Sequence, residues 1–436
     1  MPSESSVEAR FNGCGIGLRA KGEHLTVNRI LAIASIVTIA ASSASLVLAT
    51  PRCEGRLLLT QIDARQEQTL TLLRAKAFDQ LQRHMDAFLD AYVAGTLSDE
   101  ELFFEFGAFD RWSPALTPLF QEWLTLYPRS YAAYHAMALH TASVAWQARG
   151  GKLASETSAQ QMSEFTRRLR DARDWSLRSI ALHSKPILAY QQLMTNAKAI
   201  PFDTRLPNSD GKGPLPKLDL FEPTPRPDVL PILRESIRLQ PDNTIVRVAY
   251  VTVLAPRWGG GLGALLDYSR PRAHVGLPPD RVAAVTYEAT MEIANDFRFR
   301  KRFDDAVVMY EAASRICRLN PPLVEIGNVR LKQERYAEAL SAADAAVSVV
   351  PGSRSGLRIR ALALHGLSRQ EEAATLLQRL APEGWPDVLY LLGDYYTKGA
   401  GGLNKDPGEA RRLFGIAARG GDERAMKQLQ AMDATR

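Results

Sequence analysis

The stretch LVEIGNVRLKQERYAEALSAADAAVSVVP, residues 323–351, decides the fold because its small residues recur at fixed offsets along the chain. Gly327 and Ala339 are small enough to let two paired helices approach closely. Ala339 has counterparts at Ala306 and Ala373, which are 33 and 34 residues away. A repeat of this length indicates one helical hairpin per unit.

These offsets resemble those of the tetratricopeptide repeat. Three successive units contain the matching positions Ala294, Phe297, Phe303, Ala306, Tyr310 and Ala313, then Gly327, Tyr336, Ala339, Ala346 and Pro351, then Ala361, Leu364, Ala373, Leu377 and Leu380. The C-terminal part resembles a Sel1-like repeat through Gly393, Tyr396, Gly399, Asp406, Ala410, Phe414, Ala417, Ala418, Gly421, Ala425 and Leu429. We expect the glycine-rich segment Gly399–Gly402 to join two helices there.

The helical period continues upstream of the repeats. One apolar stripe consists of Phe78, Leu81, Met85, Phe88, Leu89 and Tyr92. Ser98 and Glu101 have the spacing of a capping box for the next helix. At Pro128, Pro186 and Pro241 we expect one helix to end just before the proline and another to begin two or three residues later.

The predicted fold is all-α, with stacked antiparallel helical hairpins that form an α-solenoid, preceded by one N-terminal membrane or signal helix. Residues 60–275 are predicted to be a divergent helical-hairpin domain, and residues 280–436 the tetratricopeptide and Sel1-like repeats. Residues 201–228 are too rich in proline for a helix or strand, so we expect a surface insertion or lid there.

Residues 30–49, ILAIASIVTIAASSASLVLA, carry no charge. The segment is long enough to anchor the chain in a membrane, its small residues also suit a cleaved signal peptide, and a buried core helix is the third interpretation. The first two export the rest of the chain, into the periplasm or onto the inner membrane. Residues 1–29 form a polar extension, and we expect the true start at Val27.

Composition limits the function classes. A net charge of +6 is modest for 436 residues, and the basic residues are scattered, so no nucleic-acid partner is expected. His135 and His140 are five residues apart and would not share a helix face, so no metal site is predicted. Cys53 and Cys317 could pair in an oxidising compartment, or Cys317 could be a buried thiol.

The stretch YVTVLAPRWGGGLGALLDY, residues 250–268, satisfies the glycine pattern of a dinucleotide-binding loop. That reading requires a strand that runs almost directly into the glycines, and Pro256, Arg257 and Trp258 intervene. We therefore expect a helix, a tryptophan-anchored left-handed glycine turn, and a new helix at about Leu262. No cofactor is predicted.

The middle of the chain resembles domain-of-unknown-function family 4034 over roughly residues 75 to 275. The matching residues are Trp123, Pro128 and Ser130 in EWLTLYPRS, Ala145, Trp146, Arg149 and Gly150 in AWQARGG, and Pro256 to Gly260 in PRWGG. The family carries serine where this chain has Gly261, so no role for that hydroxyl transfers. The resemblance implies a helical fold and no established activity.

Two motifs place an arginine beside a tryptophan immediately before a glycine turn: Trp146 with Arg149, and Trp258 with Arg257. In one interpretation each arginine locks a helix end, by stacking on the indole or by bonding carbonyl groups. In the other, the two motifs converge at one pocket, where Arg149 or Arg257 binds an anion.

The resemblance to tetratricopeptide proteins implies a concave groove formed by the first helix of each hairpin. Its groove-facing positions would be Asn295, Asn328, Lys332, Arg358 and His365. The asparagines suit a peptide backbone and the basic residues an acidic segment or C-terminal carboxylate, whereas the alternative is a merely solvated polar face. The predicted function is a non-catalytic scaffold of the bacterial cell envelope that binds a protein or peptide. The alternative is an envelope hydrolase with a composite site in the helical concavity.

Overall fold

The computed structural model describes residues 59–150, 156–207, 225–274 and 276–434. All regular secondary structure within these ranges is helical. The chain divides into two compact units, with the boundary between Asp296 and Phe297. None of the helices in the described ranges combines the length and the hydropathy that a membrane span requires. The segment 30–49 lies outside the described residues, so its role as a signal or anchor stays a prediction.

The first unit is built from short and medium helices. They are α1 Leu59–Arg74, α2 Phe78–Val93, α3 Asp99–Phe106, α4 Thr117–Leu126, α5 Tyr131–Arg149, α6 Ala159–Ile180, α7 Ile187–Ala197, α8 Leu230–Leu239, α9 Ile245–Leu254, α10 Leu262–Tyr268 and α11 Pro279–Phe299, the last of which continues past the unit boundary. α5 is buried on nearly all sides and packs along α6. Around its N-terminal half, the buried ring of Phe109 contacts Phe120 and Trp123. These rings form the centre of the core.

The local signals for the early helices are confirmed. The Ser98 hydroxyl accepts a hydrogen bond from the Glu101 backbone N–H at 3.1 Å, and the Glu101 carboxylate accepts one from the Ser98 backbone N–H at 2.9 Å. This reciprocal pair satisfies two of the free amide groups at the start of α3. In α2, every residue of the predicted stripe is buried except Phe88, which is half-buried.

Two of the three proline transitions match the prediction closely. α5 begins three residues after Pro128, and α9 begins four residues after Pro241. Pro186 differs, because α6 already ends six residues before it and the proline itself is the N-cap of α7. A residue without a backbone N–H is tolerated there, since the first amide groups of a helix have no intrahelical partner.

The proline-rich insertion is described only at its two ends. Residues 201–207 and 225–226 form no helix or strand, and a 3₁₀ turn at Pro227–Val229 leads into α8. The Phe202 backbone N–H donates to the Asp228 carboxylate at 3.2 Å, which ties the two ends together. The remainder, residues 208–224, lies outside the described residues.

The second unit consists of consecutive helix pairs. They are α12 Phe303–Ile316, α13 Asn320–Lys332, α14 Tyr336–Val349, α15 Arg354–Gly366, α16 Gln370–Leu380, α17 Pro386–Lys398, α18 Pro407–Arg419 and α19 Glu423–Ala434. Gly399–Gly402 joins α17 to α18 as predicted. Gly327 lies where α13 meets α15, and a Cβ atom there would be 2.8 Å from the Ile359 side chain. Its lack of a side chain therefore permits the close packing that the pattern predicts.

The turns within the hairpins confirm the repeat independently of the alanines. Lys301, Glu334 and Ser368 are left-handed, with φ of 59°, 58° and 60°, and they are again 33 and 34 residues apart. In each turn the left-handed residue and its successor donate to carbonyl groups three and five residues earlier, at 2.9 to 3.0 Å. Lys76, between α1 and α2, has φ of 55° and the same pair of bonds. The first hairpin of the chain therefore uses the turn of the regular repeats.

Cys317 follows the last residue of α12. Its side chain is almost fully buried and is disulfide-bonded, so the interpretation as a free buried thiol is wrong. Cys53, the predicted partner, lies outside the described residues, and its pairing with Cys317 stays a prediction.

Candidate functional site

Two tryptophans from distant parts of the sequence meet in the first unit. Trp146 lies in the last turn of α5, and Trp258 lies in the 3₁₀ turn that follows α9. Their ring centroids are 6.0 Å apart and their planes are at 80°, which is an edge-to-face pair. The structure thus brings the two tryptophan–arginine motifs together. We call this contact and the charged side chains around it the tryptophan junction.

The glycine turn after Trp258 has the predicted form. Gly259 is left-handed, with φ of 83°, and α10 begins at Leu262. The residues before the turn form α9 and not a strand, so the structural context of a dinucleotide-binding loop is missing. The turn instead positions Trp258 and Arg257 at the tryptophan junction.

Arg149 ends α5, and its side chain turns back over the rings of Trp146 and Phe165. Its guanidinium carbon is 5.9 Å from each ring centroid. The residue is only 7% exposed, and its hydrogen bond to the Gly150 carbonyl is long, at 3.4 Å. No carboxylate within the described ranges forms an ion pair with it. Arg149 is therefore a buried cation with little compensation from the protein.

Lys198, the residue after α7, is the second cation of the tryptophan junction. Its ammonium nitrogen is 5.3 Å from the Trp146 centroid and 5.6 Å from the Trp258 centroid. Desolvation lowers the pKa of Lys198 to about 8, and the positive charge of Arg257 acts in the same direction. A lone lysine after a helix carries no sequence signal, and we did not predict it.

Arg257 pairs with a carboxylate rather than with helix-end carbonyl groups. Its guanidinium is 2.7 Å from a Glu292 carboxylate oxygen on α11. Carbonyl groups are bonded instead by Arg226, which donates to the Ala197 carbonyl at 2.7 Å and to the Trp258 carbonyl at 3.2 Å. The locking role predicted for Arg257 is therefore performed by Arg226, which sequence analysis did not identify.

Asp110 lies in a recessed position that water still reaches. Much of its surface is exposed, yet the surrounding protein desolvates its carboxyl group and raises the pKa of Asp110. Ser143, Arg111 and Lys198 act on that pKa in the opposite direction. Asp110 and Lys198 thus both shift toward neutrality. Clustered shifts of this kind are what the hydrolase alternative requires, and that alternative stays a prediction.

The predicted groove residues are distributed over both units. Asn295 lies on α11 in the first unit, whereas the others lie on α13 and α15 in the second. Asn328 is half-buried and Lys332, one turn later, is exposed. Neither side chain has a hydrogen bond or an ion pair within the described part of the chain. These two side chains are therefore available to a partner.

The two groove residues on α15 contact α17 instead. Arg358 pairs with the Asp387 carboxylate, with a second nitrogen–oxygen distance of 3.2 Å, and its guanidinium carbon is 5.9 Å from the Trp385 ring. His365 Nδ1 is 2.9 Å from the Tyr395 hydroxyl, and desolvation lowers the pKa of His365. These contacts join neighbouring hairpins, so a partner would have to displace them to reach either side chain.

The first signature stretch, EWLTLYPRS, lines a separate cleft. The cleft has a volume of about 630 Å³ and is bordered by Pro128, Arg129 and Ser130, with Asp86 and His183 nearby. Its residues also complete the core, since the buried Trp123 indole donates to the Gln82 side chain at 2.9 Å. Within the described residues, no three His, Cys, Asp or Glu side chains could hold a metal ion.

Comparisons with known proteins agree with the helical fold. Residues 65–202 match the model of a domain of unknown function, DUF4034, so the PRWGG motif lies beyond the matched segment. No curated protein is significantly similar to the chain. Solved structures similar to it include yeast Tom70, with 12% identity over 78% of this chain and 61% of that chain and a TM-score of 0.44. A Sel1 repeat protein from Oxalobacter formigenes has 13% identity over 97% and 96% of the two chains, with a TM-score of 0.38. YrrB, a TPR protein with an unusual peptide-binding site, has 16% identity over 45% and 96%, with a TM-score of 0.31. The chain is a helical-repeat protein with tetratricopeptide- and Sel1-like hairpins, and its residues 65–202 match DUF4034.

Proposed function

We propose that this protein is a non-catalytic scaffold that binds a peptide segment of another protein on the first helices of its second unit. Stacked helical hairpins offer a continuous face for such a segment. Here α13 packs directly against α15, and the Asn320 side chain donates to the Ser353 hydroxyl at 3.0 Å, which holds the two first helices side by side.

The observation that carries this proposal is the pair Asn328 and Lys332 on α13. Most charged side chains of the second unit are engaged in ion pairs, as Arg330 is with Asp304 and Arg358 with Asp387. Asn328 and Lys332 have no such partner within the described residues. A half-buried amide has lost part of its hydration, so a hydrogen bond from a ligand would offset that loss.

The neighbouring residues favour a peptide with both apolar and acidic groups. Val324 and Leu331 lie on the same side of α13 as Asn328, following the i, i+4, i+7 spacing, and both are half-buried. The Asn328 amide can donate to and accept from a peptide backbone, while Lys332 attracts a carboxylate. A C-terminal segment with an apolar residue near its free carboxylate combines these features.

A peptide selection tests the groove. From a library of linear peptides with free C-termini, a peptide that binds the full chain is selected and then measured against Asn328→Ala/Lys332→Ala. We expect its affinity to fall by about tenfold or more, because one neutral and one charge-assisted hydrogen bond are lost. Lys427→Ala removes an exposed lysine from α19 and should leave the affinity unchanged. Equal binding by the double variant, or equal binding of a C-terminally amidated peptide, would contradict the proposal.

We further propose that the scaffold acts in the bacterial cell envelope, exported to the periplasm or anchored in the inner membrane. Support comes from the uncharged segment 30–49, which suits either a signal peptide or an anchor. Fusing a reporter that is active only outside the cytoplasm to the C-terminus should give activity that deletion of residues 30–49 abolishes. Activity that survives the deletion would refute the export.

A further inference from the structure

Arg149 is the least compensated buried charge of the tryptophan junction. A guanidinium has five N–H donors, and burying it without a carboxylate costs free energy. The protein provides a single long bond from the Gly150 carbonyl and the faces of two aromatic rings. Cation–π contacts offset only part of the lost hydration. The position is therefore suited to a negatively charged group from outside the chain.

A second cation increases the positive potential at the same place. Lys198 and Arg149 both lie within 6 Å of the Trp146 ring centroid, so one indole contacts two positive charges. Like charges this close repel each other unless an anion lies near both. Of the carboxylates around the tryptophan junction, Glu292 already pairs with Arg257.

The count of charges indicates what kind of anion would balance the tryptophan junction. Its cations are Arg149, Lys198 and Arg257, and its carboxylates are Asp110 and Glu292. The cations exceed the carboxylates by one, so a single negative charge neutralises the site, whereas a doubly charged phosphate leaves an excess of negative charge. The half-exposed rings of Trp146 and Trp258 offer apolar surface beside these cations.

We propose that Arg149 and Lys198 bind the carboxylate of a small organic acid whose apolar body packs on the rings of Trp146 and Trp258. The guanidinium fork of Arg149 can hold both carboxylate oxygens, and the ammonium group of Lys198 adds a second charge-assisted contact. This site lies in the first unit and is independent of the peptide groove on α13. The interpretation of Arg149 as an anion ligand is thus developed with a partner residue that the sequence did not indicate.

Isothermal titration calorimetry on the full chain tests the site, with benzoate as the probe. We expect saturable binding of benzoate, clearly weaker binding of inorganic phosphate, and no binding of benzyl alcohol, which has the ring without the charge. Arg149→Gln should weaken benzoate binding by about tenfold or more, since a charge-assisted bidentate contact is lost. Arg178→Gln is the matched control, because Arg178 lies 4.8 Å from the Trp175 ring and outside the tryptophan junction. The control should bind benzoate like the unmodified chain.

The result that overturns the proposal is an absence of saturable benzoate binding, or equal affinity in the Arg149 variant and the control. Since Arg149 is buried, its variant is first checked for a native circular dichroism spectrum and unfolding transition. If it fails that check, Lys198→Met decides, because Lys198 is half-exposed and its removal disturbs less packing. Weakened binding in Lys198→Met supports the site, and unchanged binding refutes it.

Discussion

Replacing Gly260 by alanine is expected to destabilise the first unit by about 3 kcal/mol or more, the range of severe overpacking. A Cβ atom at this position would lie 2.0 Å from the Leu254 carbonyl oxygen and 2.3 Å from its carbonyl carbon. Both are backbone atoms, so no side-chain rotation relieves the clash. The turn must open, and the hydrogen bonds from the Gly260 and Gly261 amide groups back to the end of α9 are lost with it.

The adjacent glycine provides the matched control. No atom lies within 4 Å of a Cβ at Gly261, and the residue is an extended N-cap of α10 with φ of −148°. Gly261→Ala should therefore change stability by less than about 1 kcal/mol, and Gly261→Ser should be neutral or slightly stabilising, because serine is a preferred N-cap. The serine that the related family carries at this place is thus compatible with the turn.

Tryptophan fluorescence can report on the first unit alone. Of the six tryptophans, only Trp385 lies in the second unit, so a Trp385→Phe background leaves every indole signal in the first. Urea unfolding in that background should give a much lower midpoint for Gly260→Ala than for Gly261→Ala. Equal midpoints would mean that the close contact with Leu254 is absent.

The features that sequence analysis predicted correctly are local ones. The helix after Ser98, the turn after Trp258 and the hairpins around Ala339 each depend on residues within a few positions of one another. Capping, a left-handed glycine and a repeated small residue act over one or two helical turns. Their physical causes are therefore visible in a single stretch of the chain.

The charged residues of the tryptophan junction show what sequence analysis could not reach. Lys198 acquires its environment from Trp146 and Trp258, which lie 52 and 60 residues away, and Arg226 binds carbonyl groups on both sides of it in the sequence. None of these pairs has a spacing that a helix or a turn would impose. Only tertiary packing brings them together, so the convergence remained one of two interpretations.

Acidification is expected to destabilise the first unit far more than the second, because of buried neutral histidines. His135 is 1% exposed and packs between the rings of Phe106 and Tyr131, and desolvation lowers the pKa of His135 to about 3. Burial likewise lowers the pKa of His274 to about 4. A base whose pKa is lower in the folded state stabilises the fold above the unfolded pKa of 6.5, and that stability is lost as the pH falls below it.

The loss can be isolated with His135→Leu, which replaces the imidazole by a side chain of similar size that takes up no proton. Between about pH 7.5 and about pH 5, His135 should cost the native chain about 2 kcal/mol of unfolding free energy, at about 1.4 kcal/mol per pKa unit. Glu105 and Asp110 oppose this trend, because burial raises the pKa of each and the folded state then gains stability as the pH falls. The comparison of two variants removes their contribution, since both carboxyl groups are present in each.

The expected result in the Trp385→Phe background is therefore that His135→Leu loses about 2 kcal/mol less than its parent between the two pH values. His365→Gln should leave this difference unchanged, because His365 lies in the second unit, where no tryptophan remains to report on it. If His135→Leu and its parent lose the same free energy, His135 is not the neutral buried group that its surroundings indicate. In that case the acid sensitivity of the unit must come from His274 or from the less buried histidines at 84, 140 and 183, each of which also has a pKa lowered by desolvation.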